Sequence, residues 1–249
     1  MDIIAAEDTR HTLKLLNHLK ITKPLVSYYK QTEKNKSDIL IKKIKEGKSI
    51  ALVSDAGTPA ISDPGEEIVK EAIKNNIKII PIPGACAAIN AIISSGISTK
   101  EFLFIGFLPV NKKQKTEKLQ EIKNINKTII FYEAPHKLKN TLEELKNNLG
   151  DRYICLAKEI SKIHEEFIRG TISECLEKLQ EIKGEFVIIV EGNKKNIQEQ
   201  KKDILNNLTL EEHFEYYKNQ NYEKKEIIKM IAKDRNTNKN EIYQYFIKE

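Results

Sequence analysis

The stretch that most restricts the fold is Ser54-Asp-Ala-Gly-Thr-Pro-Ala-Ile-Ser-Asp-Pro-Gly65. Ser49–Val53 before it is short, apolar and β-branched, which predicts a buried strand. Glu66–Asn75 after it carries Ile68, Ala72 and Ile73 on one helical face, with Pro64 at the entry and two glutamates in the first turn. The loop therefore joins the C-terminal end of a strand to the start of a helix. Open α/β sheets bind ligands at such places. Gly57 and Gly65 allow close backbone approach, and Asp55 and Asp63 supply acceptors for a hydroxyl, an amine or a cation rather than for a phosphate. A plain crossover loop would use many of the same residues.

The pattern repeats along the chain. Asp2–Ala6 reads as a short buried strand, with Glu7, Asp8 and Arg10 at its end and a helix through Leu13, Leu16 and Leu19 beyond. Those acids suit a helix start or a substrate rim. Pro24–Tyr29 reads as a strand and Ser37–Glu46 as a helix stopped by Gly47. Ile77–Ile82 reads as the next strand. It leads to a second small-residue loop, Pro83-Gly84-Ala85-Cys86-Ala87, and an Ala/Ile-rich helix. Phe102–Gly106 closes this half as another strand, so a mostly parallel sheet is expected.

Residues 109–127 are polar and lysine-rich, readable as a linker, a solvated helix or a phosphate rim. Beyond them come a strand at Thr128–Tyr132, then Glu133-Ala-Pro-His136 and a helix with Leu138, Leu142, Leu145 and Leu149 on one face. A strand at Arg152–Ala157 ends in Lys158-Glu159, an antiparallel piece covers Glu165–Gly170, and a last strand runs to Val190. Residues 193–202 read as a polar linker. From Leu205 the chain reads helical. Two short amphipathic helices there flank a basic turn, which suggests half of a helix-turn-helix, a small cap or a dimer contact. The expected division is 1–108, 109–127, 128–192 and 193–249: two α/β domains with a cleft between them, plus a small helical region.

Composition narrows the class. At 249 residues, 40% apolar and 31% charged, the chain has the make-up of a soluble globular protein without an apolar run of membrane-spanning length. Its N-terminus lacks the layout of a signal peptide. Cys86, Cys155 and Cys175 are odd in number and scattered, which fits free thiols in a reducing cytoplasm. The five histidines have no metal spacing, so no metal is expected. The net charge of +6 suits a nucleic-acid partner without requiring one. Neither a P-loop, nor Gly-x-Gly-x-x-Gly, nor Gly-x-Ser-x-Gly is present. What remains fits a polar, adenosine-sized ligand between two domains.

Taken in order, Glu7-Asp-Thr-Arg-His, the Ser54–Gly65 motif, Pro83-Gly-Ala, Phe131-Tyr-Glu-Ala-Pro-His and Gly184-Glu-Phe resemble the ribosomal RNA small subunit methyltransferase I family of the tetrapyrrole (class III) methylase superfamily. The resemblance runs from Met1 to about Gly192, and more weakly over the C-terminal helices. It implies S-adenosylmethionine-dependent 2′-O-methylation of a cytidine in the decoding region of 16S rRNA in the small ribosomal subunit, a cytoplasmic homodimer, and a cofactor held between the domains. Carried over by position, Asp55, Gly57, Thr58, Pro83, Gly84, Ala85, Cys86, Ala87, Phe131, Tyr132 and Ala157 would hold the cofactor. Glu7, Arg10, His136 and Lys158 would face substrate. Asp8, Glu133 and Glu159 are the candidate proton acceptors, with Lys158 an outsider. The family's chains begin with a further strand and a Thr-Pro-Ile-Gly-Asn-Leu loop, and this sequence starts after that point. Loss of that strand would be expected to lower stability and activity. A methyltransferase acting on a tetrapyrrole or other small molecule, and a catalytically silent RNA-binding protein, are the competing readings.

Overall fold

The computed structural model describes residues 1–194 and 204–246. The linker reading for 195–202 and the last residues of the helical tail lie outside the described residues.

Two sheets carry the architecture. The first has the order β2-β1-β3 and is all parallel. Its strands are β1 (Ile3–Ala6), β2 (Leu25–Ser27) and β3 (Ile50–Val53). Helices α1 (Thr9–His18), α2 (Glu33–Lys45) and α3 (Glu66–Lys74) connect or follow them. The central strand is Ile-Ile-Ala-Ala, buried throughout, and Ala5 and Ala6 are fully buried. Ala5 packs in a cluster with Tyr28, Leu40, Ile41, Ile68 and Ala72. Tyr28 is fully buried as well, and its hydroxyl is satisfied by Ser37 Oγ at 2.9 Å.

The second sheet has the order β4-β5-β8-β6-β7. Its strands are β4 (Phe102–Gly106), β5 (Thr128–Glu133), β6 (Tyr153–Lys158), β7 (Glu166–Thr171) and β8 (Phe186–Val190). Only β4 with β5 is parallel; the other three pairings are antiparallel, as the mixed second half led us to expect. Both faces are covered, and strand alternation sorts the side chains. Ile129, Phe131, Ile154, Leu156, Ile188 and Val190 pack on one face with residues of α5 (Lys112–Ile122), α6 (Pro135–Leu149) and α7 (Ile172–Lys178). Ile130, Cys155, Ala157, Val187 and Ile189 point the other way, onto α4 (Ala87–Ser95).

Two expectations are corrected and a third is narrowed. Ile77–Ile82 is not a strand: among the described residues it has no ladder partner, and Ile79, Ile80 and Ile82 are exposed. Pro81 and Pro83 also remove two ladder donors. The Phe102–Gly106 strand does not close the first half, because it pairs with β5 in the second sheet. The lysine-rich segment after Pro109 contains a packed helix, α5, whose Leu119 and Ile122 are buried among the residues under the second sheet.

The C-terminal region has its own small core. Helices α8 (Leu210–Lys218), α9 (Lys224–Asp234) and α10 (Lys239–Tyr245) enclose Leu205, Tyr217, Ile227, Ile228, Ile231 and Ile242. Thr209 caps α8 through a reciprocal box with Glu212, and Asn238 caps α10 through the Asn240 N–H. No helix among the described residues is long and apolar enough to cross a membrane.

Candidate active site

A cavity of about 470 Å³ opens between the ends of the two sheets. That is within the range of small-molecule sites. One wall comes from Glu7 at the end of β1, the 55–63 loop after β3, and Ala85–Ala87 with Asn90 at the start of α4. The other comes from Phe107, Tyr132–Pro135, Ile160–Lys162 and Glu185–Val187.

Hydrogen bonds lace the first wall together. Glu7 Oε2 accepts from the Asp55 N–H at 3.3 Å, and Asp55 Oδ1 accepts from the Asp8 N–H at 3.2 Å, so the ends of β1 and β3 are tied reciprocally. Thr58 Oγ1 donates to the Ala85 carbonyl at 2.9 Å and joins the two small-residue loops. Gly57, at φ +74°, sits so close that an added Cβ would lie 3.3 Å from the same carbonyl. At Gly65, φ is +153°, and a Cβ would meet Ala60 Cβ at 2.8 Å and Leu52 Cδ2 at 2.9 Å. The loop can take this path only with glycine there.

Tyr132 ties the second wall to the first. Its hydroxyl accepts from the Ala88 N–H at 3.1 Å, in the first turn of α4. Phe104 and Phe107 meet its ring edge-on at centroid distances of 5.0 and 5.8 Å. Burial pushes its phenol up to about 12, so it stays neutral.

The electrostatics are acidic. Glu7 is raised above the usual carboxylate range, first by burial and then by the charges of Asp63, Asp55 and Asp8. Asp63 is raised by burial and by Asp55 and Glu185. Lys162 is taken by Glu159 and Glu185, each at 2.9 Å, which hold its ammonium above its ordinary value. The cavity therefore suits a cation and hydroxyl donors.

Of the residues expected to act here, Glu7, Asp55, Gly57, Thr58, Ala85, Cys86, Ala87, Tyr132 and Glu133 line the cavity. Pro83, Gly84, Asp8, Arg10, His136, Lys158 and Glu159 are not on its wall. Phe131 is fully buried on the opposite sheet face, because Tyr132 takes the cavity-facing position of the alternation. Ala157 is buried among Cys155 and Val187, of which only Val187 reaches the cavity wall. Lys158 pairs instead with Glu166 at 3.4 Å.

The three acids first considered as bases are committed elsewhere. Asp8 caps α1 and forms a two-pronged pair with Arg10, which holds its carboxyl far below the ordinary range. Glu159 is lowered by the Glu185 N–H and by Lys162. Glu133 accepts from Thr141 Oγ1 at 2.6 Å and from the Ala134 N–H at 2.8 Å, so both its oxygens are used at the start of α6. Sequence reasoning left Asn90, Phe107, Lys162 and Glu185 out of the site; no local motif marks the first three, while Glu185 stands in the Gly184-Glu-Phe motif without a role having been read from it. Asp63 carried a signal, since it belongs to the Ser54–Gly65 motif.

Comparison with known proteins agrees with this architecture. A family model described as tetrapyrrole (corrin/porphyrin) methylases matches residues 1–176. A protein of Halalkalibacterium halodurans named ribosomal RNA small subunit methyltransferase I is 48% identical over 250 residues, covering all of this chain and 86% of its own length. Its Bacillus subtilis namesake is 47% identical over 252 residues, with the same coverage. Among solved structures, the methyltransferase CobJ superposes with a TM-score of 0.54 at 14% identity, covering 78% of this chain and 95% of its own. A diphthine synthase superposes with a TM-score of 0.56 at 12% identity, covering 76% and 79%. These structures share the fold only. With the motif loops lining one cleft and the close relatives spanning the full chain, the protein belongs to the tetrapyrrole methylase family and, within it, to the ribosomal RNA small subunit methyltransferase I group.

Proposed function

We propose that this chain is an S-adenosylmethionine-dependent methyltransferase that 2′-O-methylates a cytidine of 16S rRNA, acting in the cytoplasm as a homodimer. The observation that carries the reading is the acidic, adenosine-sized cavity built by the same loops that hold the family motif. The cofactor fits the residues present. Thr58, Ala85 and Ala87 offer small side chains and loop backbone to the nucleoside. Asp55, Glu7 and Asp63 offer carboxylates to ribose hydroxyls, an amine and a sulfonium.

When bound, the cofactor supplies an electrophilic methyl group. The chain's own contribution is alignment, since an in-line displacement gains most from holding both reactants. Tyr132 and Phe107 supply an aromatic wall of the cavity. A ribose hydroxyl must also give up its proton, and a positioned base contributes about 10²–10⁴-fold. Glu7 and Asp63 are the acids we assign to that task, because both face the cavity and both have the raised affinity for a proton that Asp8 and Glu159 lack.

The test pairs calorimetric titration with S-adenosylmethionine and transfer of labelled methyl groups to small ribosomal subunits, with the product analysed for a 2′-O-methylcytidine. Binding together with a ribose-methylated product supports the proposal. Labelling of a porphyrinoid in preference to the subunit would move the protein to the tetrapyrrole reading. Failure to bind the cofactor would overturn both.

A further inference from the structure

The cavity's acidity poses a problem: an RNA substrate is a polyanion, and the walls just described do not attract one. The chain needs a basic surface elsewhere. One exposed face of α9 provides it. Ile227, Ile228, Ile231 and Ala232 turn one side of this helix into the C-terminal core. Lys225, Lys229 and Lys233 lie on the opposite side at i, i+4 and i+8, all exposed, one per turn of about 5.4 Å. Like charges at this spacing cost helix stability, and packing does not require them. Among the described residues none of the three is in an ion pair. The acids of the helix are engaged elsewhere: Glu226 is turned back to cap the Glu223 N–H at 3.2 Å, and Asp234 accepts from the Tyr217 hydroxyl.

The next helix adds a different chemistry. A four-residue turn, with Asn236 in the left-handed region, leads from α9 into α10. There Asn240, Tyr243 and Gln244 are exposed. Exposed amides able to bond base edges and an exposed aromatic ring able to stack, on the helix that follows this row of ammonium groups, have the chemistry of a single-strand RNA surface. Helix α8 carries Glu211, Glu212 and Glu215 instead, so the module has one acidic and one basic aspect.

We propose that α9 and α10 form an RNA-docking surface, in which Lys225, Lys229 and Lys233 neutralise backbone phosphates and Tyr243 stacks on an unpaired base. This rests on the reading of RNA as substrate. The test compares the full-length protein with K225Q/K229Q/K233Q and with Y243A. Binding to small ribosomal subunits and to a 30-nucleotide single-stranded RNA is measured across a potassium chloride series. The triple variant is expected to bind at least about tenfold more weakly, with the log–log salt slope reduced by about 2, because each lost phosphate contact removes about 0.7–0.9. Tyr243→Ala is expected to weaken binding about tenfold with the slope unchanged. Cofactor affinity stays at the wild-type value in both. An unchanged affinity and slope in the triple variant overturns the proposal. So does a change in sedimentation without a change in RNA binding, which would make this face a contact with a second copy. If the wild type methylates subunits and the variants do so equally well, only the docking surface falls. If the wild type neither binds cofactor nor transfers methyl, the functional reading falls first.

Discussion

Glu7 and Asp63 are held in a state that costs the fold something. Burial and neighbouring acids raise both above their ordinary values, so the native protein favours their protonated forms more than the unfolded chain does. For such groups the stabilising contribution is present below the unfolded value and is lost as pH rises through the folded one. At neutral pH both therefore oppose folding. Asp63→Asn and Glu7→Gln should each raise the melting temperature at pH 7, and the gain should shrink as pH falls toward 4. The same variants should lower turnover at saturating cofactor about 10²–10⁴-fold where the residue is the base, beyond any loss of cofactor affinity that follows from removing a carboxylate of the cavity wall. Steady-state kinetics beside calorimetry checks this, and unchanged turnover in both variants removes the assignment. A residue of this kind is hard to read from a sequence. Asp63 stands among good turn formers, and only the approach of Asp55 and Glu185 across the cavity makes it unusual.

At the scale of elements, the loop after β3 is the least forgiving piece. Gly65→Ala places a methyl against Ala60 and Leu52 at a backbone angle that side chains rarely adopt. The expected cost is about 2–4 kcal/mol. That should lower the melting temperature by several degrees and weaken cofactor binding, both measurable by thermal unfolding with and without ligand. Elements with strong local patterns were legible in advance. Strands β5, β6 and β8 are apolar runs on both faces, and α6 shows leucines at helical spacing with Gly150 to stop it. What was not legible depends on partners distant in sequence. Ile77–Ile82 has a strand's composition but, among the described residues, no strand beside it, and β4 looks like its neighbours yet hydrogen-bonds into the other sheet. Helix α5 hides its buried Leu119 and Ile122 among lysines. The cavity was legible where motif loops build it and illegible where Ile160–Lys162, the loop after the interior strand β6, arrive without a motif of their own.

For the whole molecule, the C-terminal module should behave as its own unit. Among the described residues its core shares none with the clusters of the two sheets. His213, fully buried, accepts from Arg235 Nε at 3.3 Å, stacks on Tyr217 and lies 3.4 Å from Asp234. Burial, then the charge of Arg235, lowers its pKa. The fold thus prefers the neutral ring, so this contribution is complete above the ordinary histidine value and is lost as pH falls through the lowered one. Hydrogen exchange should show α8–α10 opening more readily at pH 5 than at pH 7.5, with β5, β6 and β8 unaffected; uniform behaviour across the chain would contradict it.

The cleft has a further consequence, because its walls come from two separately packed sheets. Anything that fills it works as a clasp, and its binding energy is shared by both. A ligand at a hundred times its dissociation constant adds about 2.7 kcal/mol to the resistance of the native state against unfolding. Because Glu7 and the 55–63 loop stand on one bank and Tyr132 and Glu185 on the other, that increment should appear in both sheets at once. Exchange rates of β1 and β3 should fall in step with those of β5 and β8 as S-adenosylmethionine is added. The chain would then be most nearly a single cooperative body when it is loaded for work.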